Sequence, residues 1–361
     1  MKSGMTFHEM TNEIKRQAES KADYIVDTRR LEMEPCATGP TLRVLADDGA
    51  DMIEPLDIRP IAHRQIQDYL KIPAGYYDRM LTHSPGLLAR NVNNWFHHEP
   101  ARRMIRTLDN SARAFRSDRY RRIDNLEILQ SALPVIGEMP DARFESCCVT
   151  ESRMYVKVVN PRLETEVRVG DVVQAGILIS NSEVGEGSVN IQPLVIRLVC
   201  MNGMVVNDAA IRKNHLGRVN SADENFMLYS DATLIADDQA FMLKIRDTVR
   251  AVVDEARFSQ VVGLMREAAD AKMTSGDIPA VVKLTSRDFG LNENEETGVL
   301  NHLIQDRDYT LYGLSNAVTR FSQDVDNYDR ATKLESVGYD ILSMSGSQWN
   351  RLNSAASKAA A

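Results

Sequence analysis

The residues best suited to chemistry lie between Arg102 and Arg122, in the run RRMIRTLDNSARAFRSDRYRR. It carries eight arginines, at 102, 103, 106, 113, 116, 119, 121 and 122, against two acids, Asp109 and Asp118, and no lysine. A guanidinium forks onto phosphate oxygens and stacks on flat rings. Several of them within reach of successive phosphates is what binding a nucleic-acid backbone requires. Phe115 and Tyr120 interleave the cations, and an aromatic in that setting can stack an unpaired base for about 1–3 kcal/mol. The expected contact set is therefore Arg102, Arg103, Arg106, Arg113, Arg116, Arg119, Arg121 and Arg122, with Tyr120 stacking a base. A second, smaller cluster of Arg212, Lys213 and His215, with Arg218, could extend the same surface. The competing reading of both clusters is a solvated basic face that offsets surplus carboxylates.

Other candidates are weaker. His97-His98 beside Glu99 suggests a metal, but adjacent histidines rarely share an ion, and no further His or Cys spacing completes a set. The expectation is that Trp95 and Phe96 pack inward, that both histidines are at the surface, and that the chain carries no metal and no cofactor. The polar stretch Asn181–Glu186 has too few glycines for a phosphate loop, and no helix start follows it. Glu183 and Glu186 could act as paired acids, but nothing in the sequence places a third group beside them. Cys200 ends an apolar strand and reads as a small buried hydrophobe; a nucleophile would need a base, and the nearest in sequence is His215. No acid, base or nucleophile constellation emerges, so the expectation is a non-catalytic protein.

Composition sets the frame. With 361 residues, 43% of them hydrophobic and 26% charged, the chain can bury a sizeable core. No apolar run approaches the roughly 18 residues of a membrane helix, and the first residues lack the apolar centre of a secretory signal. Four cysteines without paired spacing fit free thiols in a reducing compartment. A net charge of −8 argues against wholesale binding of polyanions, though not against a local basic patch.

The elements that must position these residues are legible in the hydrophobic pattern. Ile177–Ile179 and Leu194–Val199 flank the turn Asn181–Ser188, and Asn202-Gly203 reverses the chain into Met204–Val206. With Phe144–Val149, Arg153–Val159 and Glu164–Val169 they predict an antiparallel meander from about residue 143 to 207. Met104-Ile105 and Ala112–Phe115 read as strand pieces joined by the turn Leu108–Ser111. Asp124 reads as the N-cap of a helix over Asn125–Leu133, and Pro134–Asp141 as a loop. Helical spacing before residue 100 and after 226 gives an α+β fold, a central antiparallel β-meander flanked by N-terminal and C-terminal helices. The expected domains are 1–100, 101–270 and 271–361, ending in a frayed alanine-rich tail.

Three stretches resemble a known family: RAFRSDRYRRIDN (Arg113–Asn125), ISNSEVGEGSVNIQPLVIRLVCMNGMVV (Ile179–Val206) and TLYGLSNAVTRFSQDVDNYDRATKLE (Thr310–Glu335). They are similar to the phage- and plasmid-borne family catalogued as domain of unknown function 932. The resemblance implies a mobile-element origin, hence the cytoplasm of a bacterial host, and no established activity. The helix–meander–helix layout is also similar to that of phage single-strand annealing recombinases, an analogy of fold alone. The expected function is single-stranded DNA binding or annealing in recombination or replication, by a homo-oligomer without membrane contact. The alternatives are a protein-binding counter-defence or host-takeover module, or an enzyme built on the Asn181–Glu186 loop.

Overall fold

The computed structural model describes residues 1–36, 39–120, 122–207, 231–252 and 254–359. The chain is α+β and divides into two compact units. The smaller takes Thr11–Leu126 and Ser182–Gly187; the larger takes Met1–Met10, Glu127–Asn181 and Ser188–Ala361. The boundary expected at residue 100 falls inside the smaller unit, and that at 270 inside the larger.

The smaller unit is built on a sheet that the sequence reading did not assemble. Its strands are β1 (Ala22–Asp27), β2 (Leu31–Glu34), β3 (Thr41–Val44), β4 (Leu56–Ile58), β5 (Arg102–Leu108) and β6 (Ser111–Ser117), in the order β1-β5-β6-β4-β3-β2. Among the described residues, only β4 and β6 pair in parallel. Asp109 and Asn110, both at positive φ, make the tight turn between β5 and β6. Helix α1 (Phe7–Ser20) precedes the sheet. Helices α2 (Pro60–Tyr69), α3 (Ala74–His83) and α4 (Pro85–His98) cover one face. Pro60 and Pro85 occupy the first turns of α2 and α4, where a missing N–H costs nothing. Leu42, Val44, Ile105 and Phe115 from the sheet meet Ile66, Leu88, Val92 and Phe96 from the helices. Trp95, expected to pack inward with Phe96, is instead 39% exposed, because the buried stripe of α4 runs Leu88, Ala89, Val92, Phe96.

His63 is buried in this unit, its Nδ1 2.8 Å from the Tyr77 hydroxyl. Burial pushes its pKa down to about 4, with Asp78 working the other way. Above pH 6.5 the ring is neutral folded or unfolded. Between 6.5 and about 4 the unfolded chain takes a proton that the folded one refuses, so stability falls as pH falls through that window. The gap corresponds to about 3 kcal/mol. We expect His63→Gln to flatten the decline in thermal stability between pH 7 and 4.5; equal declines in the two proteins would refute this origin.

The larger unit holds the expected meander. After α5 (Asn125–Gly137) come β7 (Arg143–Val149), β8 (Met154–Glu166), β9 (Val172–Asn181), β10 (Asn190–Arg197) and β11 (Asn202–Val205), antiparallel in the order β11-β10-β9-β8-β7. The two strands expected at Arg153–Val159 and Glu164–Val169 are one strand, β8, with a register shift between Asn160 and Glu164. Pro161 sits in that irregularity, where a strand tolerates it. Likewise α5 runs through Pro134 into the stretch read as a loop. Ile128, Leu129, Ala132, Val135 and Ile136 keep helical spacing and are all buried, so burial outweighs the proline's lost hydrogen bond.

Alternation puts Val173, Ala175, Val195 and Met204 on one sheet face, in the main core. Tyr155, Val159, Leu178, Leu194 and Val205 form a second cluster on the other face. Gly176 is required in β9 because a Cβ there would lie 2.4 Å from the Val158 carbonyl oxygen. The remaining helices are α6 (Asp231–Val252), α7 (Glu255–Asp270), α8 (Ile278–Phe289), α9 (Glu293–Asp306), α10 (Leu311–Phe321), α11 (Tyr328–Leu342) and α12 (Gly346–Ala359). Of the tail expected to fray, Asn353–Ala361, residues 353–359 belong to α12, where Asn353 and Ala356 are buried in line with Trp349 and Leu352, and the Trp349 indole donates to the Lys272 carbonyl; residues 360 and 361 lie outside the described residues. No described helix is long and apolar enough to cross a membrane.

Candidate nucleic-acid interface

The arginine segment forms the β5–β6 hairpin, and strand alternation sorts its cations. Arg106 is fully buried, on the sheet face opposite the helices. Its Nε donates to Asp23 at 2.8 Å, its Nη2 to Asp124 at 2.7 Å, and its Nη1 to the Glu183 carbonyl at 2.8 Å. Asp23 is its cross-strand partner on β1, so the pair follows from register alone. Burial by itself would raise the Asp124 carboxyl, but Arg106 and Lys21 outweigh it and hold it below the ordinary carboxylate range. Lys21 meets the other Asp124 oxygen at 2.5 Å.

Arg113 is the extra residue of a bulge. Arg106 pairs with Ala114 and Thr107 with Ala112, leaving Arg113 unpaired between them. The bulge re-aims its side chain, and Nη2 reaches the Glu183 carboxylate at 2.5 Å. The other Glu183 oxygen accepts the Asn125 N–H at 2.6 Å. That bond satisfies an orphan donor at the start of α5, beside Asp124, the residue expected to cap that helix.

The polar loop Ser182–Gly187 is therefore a lid over this sheet face. Val184 packs with Ala114 and Ile61, Gln65 donates to the Val184 carbonyl, and Arg64 pairs with Glu186 at 2.7 Å. Gly185 has φ +80, and a Cβ there would lie 2.7 Å from the Arg116 guanidinium. The two acids considered as a catalytic pair are bound to different arginines, Glu183 to Arg113 and Glu186 to Arg64.

The rest of the segment gathers at the open end of the hairpin. Register places Arg103 opposite Ser117 and Met104 opposite Arg116. Arg102 and Arg119 are exposed. Arg103 lies over the Tyr69 ring at 3.8 Å, and Arg116 over Tyr120 at 5.0 Å. Arg102, Arg103, Arg116 and Arg119 make no ion pair among the described residues, and the Nε atoms of Arg103 and Arg116 are buried without partners. Arg122 is half exposed and 3.5 Å from Asp23. The Tyr120 hydroxyl donates to the Ser182 carbonyl at 3.3 Å, and burial pushes the phenol pKa up. Arg121, Arg212, Lys213 and His215 lie outside the described residues.

His97 and His98 are exposed, and among the described residues no group of histidines, cysteines and acids is placed to hold a metal ion. Cys200 is partly exposed, 3.2 Å from Arg197. Sequence reasoning missed the roles of Lys21, Asp23 and Glu183; Asp23 became visible only through β1–β5 pairing, and Glu183 arrives from a loop 70 positions beyond Arg113.

The model of one protein family, described as domain of unknown function (DUF932), matches residues 113–345. Searches of curated proteins and of solved structures found no match.

Proposed function

The chain belongs to that family, and from this premise we propose that it binds single-stranded nucleic acid without catalysis, through the open end of the β5–β6 hairpin. The observation that carries the reading is the convergence there of Arg102, Arg103, Arg116 and Arg119 with no carboxylate among the described residues to neutralise them. Arg102 and Arg119 meet phosphates. Arg103 and Arg116, already laid on aromatic rings, offer flat cationic surfaces to bases. Arg106 and Arg113 serve differently: a phosphate would have to displace Asp23, Asp124 or Glu183 to reach them, so they hold the platform rather than the strand. The setting we infer is recombination or replication of a phage or plasmid in a bacterial cytoplasm, with the protein acting as a homo-oligomer.

Titration of a fluorescent single-stranded oligonucleotide at several salt concentrations tests this. Binding should weaken with salt, and each of Arg102→Ala and Arg119→Ala should lower the slope of log affinity against log salt by about 1. No binding at low salt removes the function. Binding that the double substitution leaves unchanged removes the site.

A further inference from the structure

Two stations of the same construction stand at the open end of the β5–β6 hairpin. In each, an arginine lies on an aromatic ring whose hydroxyl is tied to a backbone carbonyl. Arg103 is 3.8 Å from the Tyr69 ring, and the Tyr69 hydroxyl donates to the Glu99 carbonyl. Arg116 is 5.0 Å from the Tyr120 ring, and the Tyr120 hydroxyl donates to the Ser182 carbonyl at 3.3 Å. In both arginines Nε is buried without a partner, and the Nη nitrogens make no hydrogen bond among the described residues. A guanidinium held on a ring with its outer edge unspent is a seat for an unpaired base and its phosphate.

Alternation puts the two stations on opposite faces of the sheet. Arg103 shares the helix face with Ile105 and Phe115, and it also lies 5.6 Å from the Phe115 ring. Arg116 stands opposite Met104 and against Gly185, so it belongs to the lid face. Arg102, two residues from Met104, shares that face; its cross-strand neighbour Asp27 is taken by Arg29 at 2.8 Å. Register sets Arg103 opposite Ser117, one residue past Arg116, so both stations are at the same end. A ligand that reaches both must pass over the end of the hairpin from one face to the other.

We propose that a single strand of nucleic acid binds bent over this end, with one nucleotide seated at Tyr69 and Arg103, another at Tyr120 and Arg116, and the linking phosphates on Arg102 and Arg119. The inference rests on the strand-binding reading above and adds to it a path, a footprint and Tyr69. Side chains on opposite faces of a sheet are centred roughly 10 Å apart. At ~3.4 Å or more between phosphates the crossing takes about three steps, hence about four nucleotides. A duplex, stiff over about 150 base pairs, cannot fold over so narrow an edge, so the path itself selects unpaired strands.

The test uses the full chain at low salt with fluorescent oligothymidylates of one to eight nucleotides and a blunt duplex. Affinity should rise with length and level off at about four nucleotides, and the duplex should bind about tenfold or more weaker than a single strand of equal length. Arg103→Gln and Arg116→Gln should each cost about tenfold with eight nucleotides but only about twofold with two, which can use the other station. A further measurement uses the unaltered chain and a strand of about four nucleotides carrying 5-iodouracil at one end or the other. Ultraviolet light should join one end to the peptide holding Tyr69 and the other end to the peptide holding Tyr120. Crosslinks from both ends to the Tyr120 peptide alone overturn the crossing while strand binding at Arg102 and Arg119 stands. The same follows if Arg103→Gln leaves the affinity for eight nucleotides unchanged, or if the duplex binds as tightly as the single strand. Failure of every oligonucleotide to bind removes the strand-binding reading and this inference together.

Discussion

Arg106→Met should destabilise the smaller unit by about 3–5 kcal/mol, far more than any exposed arginine of the same segment. The guanidinium is fully buried and shared among Asp23, Asp124 and the Glu183 carbonyl. The Asp23 and Asp124 side chains are only 12% and 20% exposed, so removing the cation leaves two poorly hydrated carboxylates. Lys21 still meets Asp124 at 2.5 Å, whereas Asp23 keeps only the half-exposed Arg122 at 3.5 Å, so Asp23 is the group most in deficit. Asp23→Asn in the Arg106→Met background should therefore recover part of the loss. Arg119→Met, at an exposed position, should stay within about 0.5 kcal/mol of the parent. The chain has two tryptophans, Trp95 in the smaller unit and Trp349 in the larger. Urea unfolding followed by Trp95 fluorescence in a Trp349→Phe background reads the smaller unit alone. Acid adds a second signature. The Asp124 carboxyl is held low, so its stabilisation is complete above the ordinary aspartate value near 3.9 and is lost as pH falls through its lower folded value. Without Arg106 that loss should begin at higher pH. A cost below about 1 kcal/mol would mean that the buried cluster does not hold this unit together.

The meander was legible because it is local. Each of β7 to β11 pairs with its sequence neighbour, and the turns at Asn181–Ser188 and Asn202-Gly203 are written in the residues that make them. The smaller sheet was not, because β1 lies beside β5 and β4 beside β6, pairings that skip more than 50 residues and leave no local pattern. The same reason divides the arginine segment. Composition identifies eight arginines but cannot say which face of a strand each occupies. That required the register, the bulge at Arg113, and the loop whose Glu183 neutralises it. On α11 the amphipathic pattern is local and readable: Leu334, Val337 and Ile341 lie in the core while Asp329, Lys333 and Ser336 fall on the opposite, polar side.

Lys157→Met carries the other large effect, this time in the larger unit. Lys157 on β8 and Glu335 on α11 are both fully buried, joined at 2.7 and 2.9 Å, with the ammonium 4.9 Å from the Tyr328 ring. Two charges out of water are costly, and their attraction roughly repays that only while both are present. Removing the lysine strands a carboxylate with no water to solvate it, at a cost of about 3–5 kcal/mol. Removing both charges is a different experiment. Lys157→Met with Glu335→Leu places apolar groups of similar size between β8 and α11, beside Tyr155, Leu178 and Tyr328, which already form an apolar cluster there. Such exchanges are often neutral or stabilising, so the double variant should regain most of what the single one loses. Trp349 fluorescence in a Trp95→Phe background follows the larger unit through urea unfolding. If the single variant matches the parent, the pair contributes nothing that packing does not. If the double variant is as unstable as the single one, the loss came from shape rather than from an abandoned charge.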